Sequence, residues 1–356
     1  MTIIAVTQPY VPAYRVPLFN AIEERLQRNG LELRVYSAAP RGQQSQRGDS
    51  ASGRWHRHVE SREIAIGKWT VSRRSLPPEP AEIGLVISEL EALNIFAWRE
   101  SFRRRPLILW GHGKGYVNDT SWLADNVEFG LIRRADHVMT YAPSGRHHIV
   151  RKGGISPDKV TAIGNSTDTS VLRVETERLL PTVSRDGAPS AMYVGGLDAA
   201  KRIDFLLEAF RVAKRLMPNF KLTVVGRGRD EALVRALASD EANLNYVPEA
   251  RGAELARLGS LADVMWVPGR VGLVAVDSLA MGLPVHTTNF DYHAPEIEFL
   301  SEGEVFYLGP TAERFARQSL DLIEAGKSKN LRHDIPTIDK VATSFANVVF
   351  SCMKVG

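Results

Sequence analysis

Short apolar, β-branched runs alternate with stretches of helical spacing along all 356 residues, and near residue 170 the alternation breaks and starts again. This pattern constrains the fold more than any other feature of the chain. Strands that are each followed by a helix can join one sheet only through crossovers, which makes the sheet parallel and covers both of its faces. The first series of apolar runs is "TIIAVT" (2–7), "LELRVYSAAP" (31–40), "EIGLVISEL" (82–90), "PLILWGHG" (106–113), "HVMTYAPS" (137–144) and "KVTAIGNSTD" (159–168). The second is "SAMYVGGL" (190–197), "KLTVVGRG" (221–228), "NLNYVPE" (243–249), "DVMWVPG" (263–269), "LPVHTTNF" (283–290) and "GEVFYLG" (303–309). The prediction is an α/β chain of two Rossmann-like, doubly wound domains with a crevice between them. Ligands of such sheets bind outside the carboxyl ends of the strands.

The boundaries follow the breaks in the pattern. Residues 1–170 form the first domain, and 171–188, where the alternation is lost, read as a crossing segment. Residues 189–325 form the second domain, and 326–356 a closing helix that can pack back on the first. Residues 40–55, rich in Gly, Gln, Ser and Arg, read as a mobile loop.

Composition narrows the classes of function. A single cysteine, Cys352, rules out an intramolecular disulfide and a cysteine-based metal site, and suits a reducing cytoplasm. The first residues lack the basic flank of a signal peptide, and no run of 18 apolar residues suggests a membrane span. Charge is uneven: residues 1–170 hold 23 Lys and Arg against 17 Asp and Glu, and residues 171–356 hold 22 against 24. The basic excess lies in "SRRS", "RESFRRRP", "LIRRADH" and "GRHHIVRK". It is either a set of solvated helix faces or an attraction to an anionic surface such as the inner face of the cell membrane. No basic–aromatic motif of a nucleic-acid module is present.

Three glycine turns end strands of the second domain: Gly195 and Gly196, then Gly226 and Gly228, then Gly269 and Gly272. The last pair opens the stretch "VPGRVGLVAVDSLAMGLPVHTT" (267–288). Glycines at a helix start let an anion approach backbone N–H groups, and a carboxylate one turn in, Asp277, can accept hydrogen bonds from hydroxyls. Lys201, just after the first turn, is either a phosphate partner or a solvated lysine. His112 lies between two glycines at a strand end of the first domain and is either functional or structural. Neither domain's first strand runs into G-x-G-x-x-G, and no P-loop is present.

These motifs resemble the retaining GT-B glycosyltransferases of family 4, the glycosyl transferases group 1. The resemblance rests on "VGGL…K…LLEAF", "VVGRG" and "ADVMWVPGRVGLVAVDSLAMGLPV", and on "QPYVPAYRVPLFNAI", "LILWGHG" and "VTAIGNSTDT" in the first domain. The P-G-x-V-G-L block is similar to a branch found in surface-polysaccharide clusters. The resemblance implies a hexosyltransferase that moves sugar from a UDP- or GDP-sugar to a glycan or lipid-linked acceptor, without a metal or other cofactor. It implies catalytic roles for His112 and Lys201. Donor binding falls to Gly195, Gly196, Gly226, Gly269, Gly272, Leu273, Val274 and Asp277, and the acceptor side to Tyr14, Arg15 and Asn165. Three positions depart from the family. Gly269 and Asp277 stand where it has its two glutamates, and Gly196 stands where it has an arginine. Two alternatives stay open: a different enzyme on the same fold, such as a phosphorylase or an epimerase helped by Glu89, Glu91, Glu296 and Glu298, or a non-catalytic nucleotide-sugar-binding partner.

Overall fold

The protein, a computed structural model, is described here for residues 1–40, 49–66, 69–74, 76, 82–115, 122–180, 187–326 and 331–354. In chain order the strands are β1 (Thr2–Gln8), β2 (Leu31–Ser37), β3 (His56–His58), β4 (Ser61–Ile66), β5 (Trp69–Arg74), β6 (Ile83–Glu89), β7 (Leu107–Gly111), β8 (His137–Thr140), β9 (Val160–Ala162), β10 (Ser190–Val194), β11 (Lys221–Val225), β12 (Leu244–Val247), β13 (Val264–Trp266), β14 (Val285–Thr288) and β15 (Val305–Leu308). The helices are α1 (Val16–Gln27), α2 (Ile95–Glu100), α3 (Trp122–Arg134), α4 (Pro143–Gly153), α5 (Ser170–Leu179), α6 (Ile203–Leu216), α7 (Glu231–Asp240), α8 (Gly252–Leu261), α9 (Val274–Met281), α10 (Ala312–Glu324) and α11 (Ile338–Lys354). They divide into two compact units, 1–168 with 337–356, and 169–336.

The first unit carries a seven-stranded sheet in the order β3-β2-β1-β6-β7-β8-β9, with every pairing parallel. Its interior strand β1 is apolar on both faces, as a sheet covered on both sides demands. Ile4 and Val6 enter one core with Phe19, Trp55, Trp110 and Phe345. Ile3 and Ala5 enter the other with Val86, Leu109, Phe129 and Ile132. Helix α1 buries Leu18, Phe19, Ile22 and Leu26, the spacing of one helical face, and takes Pro17 in its first turn. Helix α4 starts at Pro143 and stops at Gly154, whose φ of +63° closes it in the left-handed conformation.

The second unit carries a six-stranded parallel sheet in the order β12-β11-β10-β13-β14-β15. Tyr193 faces a core with Phe210, Phe220, Trp266 and Phe315. Its neighbour Met192 faces the opposite core with Met265, Leu279 and Leu283. Numbering each sheet's strands as they occur along the chain, the order runs 3-2-1-4-5-6-7 in the first unit and 3-2-1-4-5-6 in the second. Each sheet therefore reverses direction between its first and fourth strands.

Three expectations need correction, and some elements were missed. Residues 171–188 are no bare crossing: α5 occupies the first half of the span and packs on α8 within the second unit. Leu172 and Thr176 are its buried residues, too few for the apolar spacing to register. The segment 326–356 is divided. Residues up to 336 stay with the second unit, where Arg332 bonds Ser301, Glu304 and the Phe299 carbonyl, and Ile335 is buried. Helix α11 joins the first unit against α1. The mobile-loop reading of 40–55 falls partly on 41–48, which lie outside the described residues; Trp55 is core. Finally, β3, the antiparallel pair β4–β5 and α2 escaped the apolar pattern.

Candidate functional site

In the second unit the reversal of strand order lies between β10 and β13, and the chain leaving both strands converges there. After β10 come Gly195 and Gly196, then a short turn, Ala199–Lys201, capped by the Asp198 side chain, which accepts from the Ala200 N–H. After β13 comes Val267–Leu273. The two turns are bonded together: the Arg270 N–H donates to the Ala200 carbonyl (2.8 Å), and Lys201 Nζ donates to the Arg270 carbonyl (2.6 Å). The structure thus brings Lys201 directly beside the turn that opens α9.

The glycines expected at the donor site separate into two kinds. A Cβ on Gly269 would stand 2.4 Å from the Ala200 carbonyl oxygen, and one on Gly226, at φ +146°, only 1.8 Å from that of Gly195. Backbone packing between turns explains these two without any ligand. Gly272 differs, since its nearest neighbour would be Ala294 Cβ at 3.7 Å. No crowding demands glycine there. Helix α9 starts next to it, with Leu273 preceding Val274 and with half-buried Asp277 in the first turn. The unpaired N–H groups of a helix start carry partial positive charge.

In the first unit the corresponding carboxyl ends carry His112 after β7 and Tyr141 after β8. Arg15 is buried between them and the first turn of the chain. Its guanidinium donates to Gln8 Oε1 and the Tyr141 hydroxyl, each at 2.7 Å, and sits 4.8 Å from the Trp110 ring centre. Burial acts to lower its pKa, but interaction with the Tyr141 and Tyr14 hydroxyls outweighs this and holds it above its ordinary value. The exposed His112 ring packs edge-on against Tyr141 at 5.0 Å. Arg15 therefore braces Tyr141 from below, while half-buried Tyr14 stays partly open to solvent. Asn165 lies buried three residues past β9. Glu89, at the end of β6, is also buried and accepts from the Thr7 hydroxyl (3.0 Å). On α3, loss of water together with nearby Asp125 and Glu91 pushes Glu128 up to about 7.

Residues 188–325 match the family described as glycosyl transferases group 1. Solved structures match over essentially the whole chain. HepE from Anabaena, solved in complex with UDP, has a TM-score of 0.60 at 16% identity, covering 100% of this chain and 98% of its own. Sucrose-phosphate synthase from Thermosynechococcus elongatus has 0.65 at 14%, covering 100% of both. UDP-GlcNAc 2-epimerase from Methanocaldococcus jannaschii has 0.59 at 10%, covering 98% of this chain and 100% of its own. No curated protein matches the chain by sequence.

The fold is GT-B. A GT-B chain of this kind carries two similar sheets, and both are present here, with the same order over the first six strands of each. Transferases and an epimerase share the fold, so activity has to be argued from residues rather than from shape. The arrangement offers a cation and a helix start at one place in the second unit, which suits a group that carries phosphates.

Several residues around these turns were not singled out in the sequence. The Tyr193 hydroxyl donates to the Gly196 carbonyl (2.6 Å), and that of Tyr246 to the Gly226 carbonyl (3.0 Å). Arg202 holds the left-handed conformation at φ +54° without being glycine, a strained state, and donates to Thr288 Oγ1. His293 accepts from the Val271 N–H. No local pattern marks Tyr246, Arg202 or His293, because the partner of each is distant in sequence. Only the position of Tyr193, two residues before a glycine pair, carried a signal. Among the described residues no group of three or more His, Cys, Asp or Glu is placed to hold a metal ion.

Proposed function

We propose that the chain is a glycosyltransferase that takes a hexosyl group from a nucleoside diphosphate sugar, UDP- or GDP-linked, and passes it to a glycan or lipid-linked acceptor with retention of configuration. The observation that carries this reading is the bonded pair of turns at the reversal point of the second unit. There Lys201 stands beside Gly272 and the start of α9, within the segment that matches glycosyl transferases group 1. The HepE structures contain UDP in one crystal and UDP-glucose in another, and a ligand of that class fits this arrangement. Its diphosphate would take the helix start and Lys201, and its ribose hydroxyls would take Asp277.

In the reaction the bond between the anomeric carbon and the β-phosphate oxygen breaks, and the electron pair leaves with the nucleoside diphosphate. The acceptor hydroxyl forms the new bond and gives its proton to the departing phosphate. Negative charge grows on the leaving group, so preorganised N–H donors and a cation lower the barrier. In this reading Lys201 and the backbone at Gly272 and Leu273 meet that charge, and no metal cofactor is assigned. His112 acts at the reacting sugar, and Tyr14, Arg15 and Asn165 serve the acceptor side, Arg15 by bracing Tyr141. A role in surface-polysaccharide synthesis, in the cytoplasm or on the inner face of the membrane, completes the proposal.

A thermal-shift panel of UDP-, GDP- and ADP-sugars tests it. A specific donor raises Tm by mass action. Turnover in the presence of acceptor, with no product when acceptor is withheld, separates transfer from epimerisation. A panel without any shift would overturn the reading.

A further inference from the structure

The turn that opens α9 is clasped by a side chain from outside it. His293 follows β14 and reaches back: its Nδ1 lies 3.1 Å from the Val271 nitrogen, and its Nε2 lies 3.1 Å from the Thr288 carbonyl oxygen. A backbone N–H can only donate, so Nδ1 must be the accepting nitrogen. The proton then sits on Nε2 and is given to Thr288. The ring is neutral and in one tautomer. The next residue adds a second tie, the Ala294 N–H donating to the Val271 carbonyl at 2.8 Å. Val271 is fully buried, so its N–H depends on this ring for a partner.

We propose that His293 is a positioning residue: its neutral imidazole fixes the Gly269–Leu273 turn in the shape that presents N–H groups to a nucleoside diphosphate. The inference rests on the reading of that turn as the diphosphate site. Protonation of Nδ1 would set one donor against another and release Val271. The surroundings keep the ring neutral. Burial lowers its pKa below 6.5, the Thr288 hydrogen bond opposes this, and the positive charges of Lys201 and Arg270 lower it further. The rings of Phe290 and Tyr307, 5.7 and 6.1 Å away, add no charge. Fixing of the turn, and with it diphosphate affinity, is therefore complete near neutral pH and weakens as pH falls through the ring's own lowered pKa.

The test is calorimetric titration of the full chain with UDP, repeated with GDP, from pH 5.5 to 7.5. His293→Ala should bind roughly tenfold more weakly at pH 7.5, the effect of one lost buried hydrogen bond. His293→Asn has an oxygen that can accept from Val271 and no proton that titrates. It should regain most of the affinity and show a flatter pH profile than wild type. Affinity of His293→Ala within twofold of wild type overturns the proposal. So does a wild-type pH slope in His293→Asn, which decides the matter even where the alanine variant fails to fold. Lys201→Ala in the same titration keeps the two ideas apart. If Lys201→Ala weakens binding and His293→Ala does not, the clasp fails alone; if neither weakens it, the site reading fails with it.

Discussion

Lys201 concentrates the argument in one ammonium group. Lys201→Ala should leave the fold intact and cut turnover at saturating donor by about 10²–10³, the usual effect of removing one group that meets charge in the transition state. Steady-state rates against wild type check this, and near-normal turnover would remove Lys201 from the site. Asp277→Ala should weaken binding of the free nucleoside diphosphate by roughly 1.5–3 kcal/mol, since ribose contacts belong to substrate and product alike. Titration with UDP or GDP decides, and equal affinities would make Asp277 an ordinary helix residue. His112→Ala should lower turnover while leaving that same titration almost unchanged, because His112 belongs to the first unit and the glycine turns to the second. A large loss of nucleotide affinity with normal turnover would contradict its role. Single residues were unevenly legible. Lys201 and the glycine turns stood out because strand-end glycines are rare and visible. What the glycines do was not visible, and backbone packing accounts for Gly226 and Gly269. Arg15 carries its weight as the buried brace of Tyr141, a role no spacing could show.

Elements were legible where burial is two-sided. The apolar runs of β1, β6, β7 and β10 declare themselves because both faces are covered. By contrast β3, "HRH" at a sheet edge, has no apolar signature; its pairing with β2 decides its state. Helix α2 is six residues long and depends on the Asn94 side chain, which accepts from the Ala97 N–H. Strand β14 carries a prediction of its own. His286 is buried beside Ser319, whose hydroxyl also accepts from the Trp266 indole, and burial pushes the imidazole down to about 3. Its folded pKa lies below the unfolded value, so the unfolded chain binds the proton first. The stability from the neutral ring is present above pH 6.5 and is lost as pH falls from 6.5 toward 3, by up to about 1.4 kcal/mol per pH unit. Glu128 has the opposite sign, losing its contribution as pH rises toward 7, so the informative comparison is between variants. Denaturant unfolding of His286→Gln from pH 4.5 to 7 should show a flatter acid slope than wild type. Parallel slopes would refute this.

On the scale of the whole molecule, two of the basic clusters fall on one edge of the first unit, whereas "GRHHIVRK" begins at the other, where Gly145 packs on the His112 carbonyl. Arg103 and Arg104 precede β7, Arg133 and Arg134 end α3 just before β8, and Lys159 leads into β9. This is the edge opposite His112. Phe102 stands 70% exposed there, with the Arg134 guanidinium 3.9 Å from its ring centre. Arg103 and Arg105 share Glu100, which tempers the local charge. Each basic residue near an anionic leaflet contributes about 1 kcal/mol. Vesicles with anionic lipid should therefore sediment the protein at low salt and release it at high salt, and neutral vesicles should bind little. Sedimentation that ignores lipid charge would leave these arginines as solvated faces. At this scale the sequence showed two repeats of one pattern and a closing helix able to pack back on the first domain; the structure puts the departure at 168 and the return at 337. That return has a consequence for synthesis. The second unit is a continuous stretch and can close as soon as it has left the ribosome. The first cannot: Val341, Ala342, Phe345 and Val349 fill the same core as Phe19 and Trp110, and they are made more than 160 residues after β9. Helix α1 covers part of that face from the outset, but the core is completed only after the second unit has been made, so the later half of the chain can close before the earlier one, against the usual order in which the amino-terminal domain leads.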